Sequence, residues 1–241
     1  MTDPALPRAA LLAGGLGTRI RALAGGTPKV LLPVEGRPFI AHLLEYLDRQ
    51  GVSEAVLCLG HAADRVWDAA LSVAPAGMTL VPSREETPLG TGGALRLALP
   101  HLGSTFFVVN GDTYLEAPLA PLLRLHRRSE AAITLSLVRS EQAAEKGTVR
   151  VDPSGRVLDF VEKVADGTGL INAGVYVAEA SAIEHCPPGK PCSLEREVIP
   201  AALRRGDRIM ARRAEAPFVD IGLPEDYLRV RDRLPRPGGR R

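Results

Sequence analysis

Residues 9–29 read AALLAGGLGTRIRALAGGTPK, and this stretch decides the fold. Residues 9–13 are apolar with no polar alternation, the pattern of a strand buried on both faces, and the run stops at Gly14 and Gly15. A buried strand that feeds a glycine turn is how an open α/β sheet begins, and ligands of such sheets sit beyond the carboxyl ends of the strands. Glycines at that point let backbone N–H groups approach phosphate oxygens, while Arg19 and Lys29 can neutralise phosphate charge. Two commoner phosphate motifs do not fit. A dinucleotide fingerprint starting at Gly15 needs glycine where Ile20 stands, and no Gly-Lys pair is followed by Ser or Thr as a Walker A loop requires. Taken by itself, a glycine cluster also fits a plain structural turn.

Outward from this loop, apolar runs alternate with helical patterns. Residues 39–50 show helical apolar spacing and stop at Gly51; 55–59 read as a strand, 62–73 as a helix and 78–81 as a strand. Residues 91–99 read as a helix, 105–109 as a strand, 119–128 as a helix and 132–138 as a strand. Such βαβ alternation predicts a Rossmann-like, three-layer α/β/α fold with a mostly parallel central sheet. Beyond residue 140 the texture changes. Residues 147–151 and 157–163 read as a hairpin around a turn at 152–155, and 169–178 as a strand. Residues 193–205 read as a helix, 209–212 and 218–221 as short strands, and 224–234 as a closing helix. With no repeat and no linker, residues 1–234 are expected to form one domain, a half at about 8–140 and a smaller β-rich half at about 141–234, with 235–241 a disordered tail.

Composition bounds the function. The 241 residues are 45% hydrophobic and 24% charged, ordinary for a soluble globular protein with a sizeable core. A net charge of +2 gives no case for a nucleic-acid partner. No apolar run reaches membrane-spanning length and the start shows no signal-peptide pattern, so a cytoplasmic protein without a membrane partner is expected. Cys58, Cys186 and Cys192 are odd in number and lack CxxC spacing, which suggests neither a disulfide framework nor a zinc site. Only four of the 30 basic residues are lysine: Lys29, Lys146, Lys163 and Lys190. In a chain that almost always uses arginine, each compact lysine charge stands out.

Two apolar runs end in aspartate. Residues 105–109 lead into Asn110-Gly111-Asp112, and 218–219 into Asp220. Carboxylates past strand ends are placed to share Mg²⁺, which takes hard oxygen ligands and is commonly held by one or two carboxylates plus substrate phosphates. An Asn-Gly-Asp turn is the plainer alternative. Before the helix at 91–99 lies EETPLGTGGA, residues 85–94, whose small residues would let a flat base lie against backbone; a simple helix entry capped near Thr91 explains it as well. Guanine presents two adjacent N–H donors that one carboxylate can accept together, so Glu85 or Glu86 could select it; either also fits a solvated surface charge.

These segments together resemble the sugar-1-phosphate nucleotidylyltransferase family, and most its mannose- and heptose-1-phosphate guanylyltransferases. The loop keeps Gly15, Gly17, Thr18, Arg19, Pro28, Lys29, Pro33 and Val34 of the family pattern, with ALAGGT in place of the usual spacer. Asn110-Gly111-Asp112 resembles the first metal motif and DIGLPEDY, residues 220–227, the second. Glu162-Lys163 resembles the motif that meets sugar hydroxyls and sugar phosphate, with Val164 where proline is usual. Asn172-Ala173-Gly174 resembles another sugar motif, and Gly147 a glycine whose backbone faces the sugar, with Lys146 at a site that is often aromatic.

The resemblance implies a nucleotide-diphospho-sugar transferase fold and an in-line displacement in which a sugar-1-phosphate oxygen attacks the α-phosphorus of a nucleoside triphosphate and pyrophosphate leaves. It implies catalytic roles for Arg19, Lys29 and Lys163. Nucleotide binding falls to Ala13, Gly14, Gly15, Gly17, Thr18, Glu85, Gly90, Thr91 and Asp112. Sugar binding falls to Gly147, Glu162, Lys163 and Asn172, and Mg²⁺ to Asp112 and Asp220. Asp226, in the second metal motif, is expected to cap the closing helix or face solvent. The resemblance also implies GTP as the nucleotide and a GDP-sugar product, the sugar a manno-configured heptose or mannose; which sugar it is and the oligomeric state, a homo-oligomer included, stay open. A uridylyl- or thymidylyltransferase and a non-catalytic regulatory subunit remain alternatives; a nicotinamide-dependent oxidoreductase is disfavoured by the failed fingerprint.

Overall fold

A computed structural model of the chain describes residues 6–15, 17–141, 143, 148–161, 168–232 and 234. The strands are β1 (Ala9–Leu12), β2 (Pro33–Val34), β3 (Arg37–Pro38), β4 (Glu54–Leu59), β5 (Thr79–Arg84), β6 (Thr105–Asn110) and β7 (Thr113–Leu115), then β8 (Ile133–Ser140), β9 (Thr148–Val151), β10 (Val157–Val161), β11 (Gly169–Glu179), β12 (Ile209–Arg213) and β13 (Phe218–Asp220). Seven of them form one sheet in the order β12-β8-β11-β6-β1-β4-β5. β6, β1, β4 and β5 run parallel, as do β8 and β12, while β11 is antiparallel to both β6 and β8.

The apolar runs explain the three layers. Alternate side chains of a strand point to opposite faces, so an unbroken apolar run fills two cores. Ala9 and Leu11 of β1, Leu57 of β4, and Phe107 and Val109 of β6 join one core. Their neighbours Ala10, Val56, Phe106 and Val108 join the other. The helices Phe39–Arg49, Ala63–Val73 and Leu119–Arg128 cover the first core with side chains such as Phe39, Leu43, Val66 and Leu122. Helices Gly90–Ala98 and Ile199–Arg205 cover the second through Leu95, Ala98, Ile199 and Ala202. Phe107 is fully buried; truncating such a side chain to alanine costs about 3–5 kcal/mol.

Two features carry residues to the carboxyl edge of the sheet. β7 pairs antiparallel with β13, setting Thr113 opposite Asp220. In β11 the register slips between Asn172 and Tyr176, where Gly174 has φ +73°. A Cβ there would overlap Thr113 Oγ1 and lie 3.0 Å from Asn110 Cβ, so glycine lets β11 pass close to the β6–β7 corner.

Some expectations shift. The helix expected at 193–205 opens as a wide π turn, Leu194–Val198, capped by Ser193 Oγ, before Ile199–Arg205. The closing helix ends earlier, as Pro224–Val230. The hairpin forms as β9 and β10, but Gly147, Glu162, Lys163 and the tail at 235–241 lie outside the described residues. Among the described residues no helix is long and apolar enough to cross a membrane.

Candidate active site

A cleft of about 410 Å³ opens at the carboxyl ends of β1, β4 and β6, a size that holds a nucleotide-sized ligand. Leu12, Ala13, Asn110 and Gly111 line it from the strand ends. Gly111 donates its N–H to Leu12 O at 3.0 Å, and a Cβ at that position would overlap the same oxygen. This contact draws the end of β6 against β1 and sets Asp112 beside the glycine loop. The loop's Gly14, Gly15 and Gly17 also line the cleft, with Gly17 at φ +58°. Gly14 lies at one end of the loop, where a Cβ would stand 3.2 Å from Glu85 Oε1; at Gly17 it would stand 3.5 Å from Lys29 Cβ. The loop therefore runs from Glu85 to Lys29.

The Lys29 end carries charge. Lys29 Nζ meets Asp112 Oδ2 at 2.8 Å, joining a turn after the loop to the end of β6. Ile221 N–H donates to Asp112 O at 2.9 Å and thereby extends the β7–β13 ladder past Asp220. Asp220 Oδ1 accepts the Gly222 N–H at 2.7 Å. A Cβ on Gly222 would lie 2.7 Å from Asp220 Oδ1 and 3.7 Å from Lys29 Nζ, so glycine keeps the space between carboxylate and ammonium open. Asp112, in the turn between β6 and β7, lines the cleft, and Asp220, at the end of β13, is not among the lining residues; two such carboxylates are a hard-oxygen donor set that fits Mg²⁺ completed by phosphates and water. Among the described residues no group of three or more His, Cys, Asp or Glu gathers, which leaves a pair of hard oxygen donors rather than an all-protein cage. Arg19 is exposed on the turn Thr18–Ile20 and is not among the residues that line the cleft.

The Glu85 end is built mainly from backbone. Glu85 is half-buried and lines the cleft, whereas Glu86 is exposed and does not line it. Glu85 Oε2 accepts the Leu89 N–H at 3.1 Å. Burial raises the pKa of its carboxyl, and the Leu89 N–H only partly offsets this. A Cβ on Gly60 would overlap Glu85 Oε1 and lie 2.9 Å from Gly14 O. Cys58 closes this wall as a buried side chain, its thiol pushed up to about 12 first by burial and then by the Glu85 charge.

The helix Gly90–Ala98 starts at the cleft with its N-terminus, the end that favours anions. Gly90, Thr91 and Ala94 face the cleft, but the remaining glycines serve a different neighbour. Gly92 and Gly93 donate their N–H groups to Cys192 O at 2.9 and 3.1 Å, and Cys192 N–H donates to Leu89 O at 2.8 Å. A Cβ at Gly90 or Gly92 would lie 2.7 or 3.2 Å from Cys192 O. Smallness here seats the loop on the chain segment behind it. That segment also holds two free, buried thiols, Cys186 and Cys192, whose sulfurs are 2.7 Å apart, a proximity that their spacing in the sequence did not announce.

On β11, Asn172 is fixed at both ends of its amide. Nδ2 donates to Tyr176 OH at 2.5 Å and Oδ1 accepts the Gly174 N–H at 3.1 Å. Among the described residues these contacts use one N–H and one lone pair of the amide. Tyr176 and Glu195 are polar participants that sequence reasoning missed: Tyr176 sits in an apolar run and Glu195 in a helical one. Asp226, in the first turn of the closing helix, is buried at 7% exposure and pairs with Arg229 at 3.3 Å rather than facing solvent. The side chain of Thr18, with Gly147, Glu162 and Lys163, lies outside the described residues.

Known proteins resemble the chain over most of its length. The family model described as nucleotidyl transferase matches residues 8–236. Mannose-1-phosphate guanylyltransferase of Mycobacterium tuberculosis is 40% identical over 225 residues, covering 92% of this chain and 62% of the relative. The chain thus spans less than two thirds of that protein's length. D-glycero-alpha-D-manno-heptose 1-phosphate guanylyltransferase of Campylobacter jejuni is 32% identical and covers 91% of this chain and 96% of the relative. The crystal structure of HddC from Yersinia pseudotuberculosis, complexed with GMP-PN, matches with a TM-score of 0.83 at 34% identity over 93% of this chain and 98% of that one.

Proposed function

The chain belongs to the nucleotidyl transferase family, and from that premise we propose that it transfers the guanylyl group of GTP to a manno-configured sugar-1-phosphate, either mannose or a heptose, forming a GDP-sugar and pyrophosphate. One observation carries the reading: a single cleft holds the Lys29–Asp112 pair at one end of the glycine loop and the half-buried Glu85 at the other. The names of the mannose and heptose relatives support the sugar class.

In the proposed reaction an oxygen of the sugar phosphate forms a bond to the α-phosphorus as the bond from that phosphorus to the bridging oxygen of the leaving pyrophosphate breaks. The attacking oxygen is already anionic, so no protein nucleophile is needed, and catalysis is alignment and charge neutralisation. Glycine-loop N–H groups and Lys29 meet the triphosphate, with Arg19 recruited from the exposed turn. Asp112 and Asp220 would hold Mg²⁺, which when bound neutralises charge on the phosphate oxygens. Glu85 accepts guanine's N1–H and amino group. Asn172 orients the sugar through its side-chain amide; Gly147, Glu162 and Lys163 are assigned to the sugar and its phosphate on motif grounds.

Pyrophosphate release with GTP and Mg²⁺ across a panel of sugar-1-phosphates tests the reading. Release with mannose- or manno-heptose-1-phosphate is expected; release only with gluco- or N-acetylated sugars contradicts the sugar class, and no release with any sugar contradicts the enzyme.

A further inference from the structure

The nucleotide loop and the sugar strand are joined by hydrogen bonds that meet at one carboxylate. From the loop, Leu194 N–H donates to Thr91 Oγ1 at 2.8 Å, and the Thr91 hydroxyl donates to Glu195 Oε2 at 2.8 Å. Ser193 Oγ donates to the same oxygen at 3.3 Å. From the sugar strand, Asn172 Nδ2 donates to Tyr176 OH at 2.5 Å, and the Tyr176 hydroxyl donates to Glu195 Oε1 at 3.0 Å. An ionised carboxylate only accepts, so it fixes the direction of both arms: the Thr91 hydroxyl accepts from Leu194 N–H and donates to Glu195, and the Tyr176 hydroxyl accepts from the Asn172 amide, with a further side-chain hydrogen bond to Asn110, and donates to Glu195. Thr91 lines the cleft from the nucleotide side, yet its hydroxyl is committed to the protein. Tyr176 is fully buried in β11, where an unpaired hydroxyl would be costly. Three segments far apart in sequence therefore depend on one side chain that does not line the cleft.

We infer that Glu195 is a positioning residue that locks the nucleobase loop to the sugar strand, so that the geometry of each subsite depends on the other. The inference rests on the guanylyltransferase reading for its substrates but not for its hydrogen bonds. A carboxylate is required because an amide presents one acceptor and one donor, and the donor would face a hydroxyl that must itself donate. The diagnostic is an effect that crosses from one subsite to the other. Tyr176→Phe removes the sugar-side arm together with a hydrogen-bond partner of the cleft-lining Asn110, so coupling through Glu195 is read from the loss of the Tyr176→Phe effect once Glu195→Gln has broken the junction.

Steady-state kinetics with GTP and mannose-1-phosphate, on variants with cooperative thermal unfolding, read the coupling. Glu195→Gln is expected to lower kcat about 10-fold and raise KM for both substrates, the size of losing one charge-assisted hydrogen bond. Tyr176→Phe is expected to raise KM for GTP as well as for the sugar, and to add nothing to the GTP effect in the Glu195→Gln background. An unchanged GTP KM in Tyr176→Phe, or an equal effect in both backgrounds, overturns the inference. A Glu195→Gln variant with lowered Tm and both KM values unchanged overturns it too, because that is a purely structural role. Should wild type release no pyrophosphate with any substrate pair, the guanylyltransferase reading fails, and amide exchange decides the inference alone. Faster exchange at Gly92 and Gly93 in Tyr176→Phe then supports it, and unchanged exchange overturns it.

Discussion

At one end of the glycine loop Lys29, Asp112 and Asp220 bring charge on side chains from three separate elements; at the other, Glu85 stands against Gly14 and Gly60, held by a backbone N–H. The charged end is part-buried, like the base end, but rests on side-chain charge. The base end is half-buried and shaped by the closeness of main chain to main chain. The difference teaches what each can tolerate. Removing a charge removes chemistry but leaves the fold, whereas adding a single methyl group at the base end disturbs packing and recognition together.

The largest effect is expected at the charged end. Asp112→Ala or Lys29→Ala should lower kcat for pyrophosphate release by about 10²-fold or more, the usual loss of one preorganised electrostatic group, with Tm nearly unchanged. Wild-type turnover in either folded variant removes that residue from the chemistry and breaks the comparison at its stronger side. Next in size is Gly60→Ala, which should lose about 1–3 kcal/mol of stability in denaturant unfolding by overpacking, and also raise KM for GTP by displacing Glu85. A stable variant with normal GTP binding would show that the base end is looser than its contacts indicate.

Smaller still, Glu85→Gln should raise KM for GTP about 10-fold and leave kcat near wild type, since one of two hydrogen bonds to guanine is lost in ground state and transition state alike. The pH dependence sharpens this. Burial raises the Glu85 pKa, so its acid form persists to higher pH than in an ordinary carboxyl. KM for GTP should therefore rise as pH falls toward that value in wild type and stay flat in Glu85→Gln. A flat wild-type profile separates Glu85 from the base.

The smallest expected effect lies away from the cleft. His126 is buried, with Thr134 Oγ1 on Nδ1 and Glu179 on Nε2, each at 2.9 Å. Burial lowers its pKa below the ordinary 6.5, outweighing the opposing pull of Glu179. The unfolded chain then binds the proton more readily than the native one, so stability should fall as pH drops from about 6.5 toward the lower native value. His126→Gln should flatten that slope in urea unfolding; an unaltered slope assigns it to other groups.

Much of this architecture was legible in the sequence because each signal was local. Apolar runs gave β1, β4 and β6, and the aspartates after β6 and in β13 followed from strand ends. β7 was not legible: three residues, TYL, carry too little periodicity, yet their pairing with β13 is what brings Asp220 beside Asp112. The Lys29–Asp112 contact spans 83 positions and no spacing rule announces it. The loop glycines were read as room for a base, and Gly92 and Gly93 proved to pack on Cys192 because the segment behind the loop is invisible to a linear reading. Tyr176 and Glu195 hid for the same reason, each looking like an ordinary member of its strand or helix.

The most direct test of guanylyl transfer is a competition. Equimolar GTP, ATP, UTP, CTP and dTTP are supplied with mannose-1-phosphate, manno-heptose-1-phosphate and Mg²⁺, and the nucleotide-sugars formed are identified by mass spectrometry. GDP-sugar as the dominant product, with that dominance weakened in Glu85→Gln, is the predicted result; a dominant UDP-, dTDP-, CDP- or ADP-sugar would contradict the assignment of guanine to the Glu85 end.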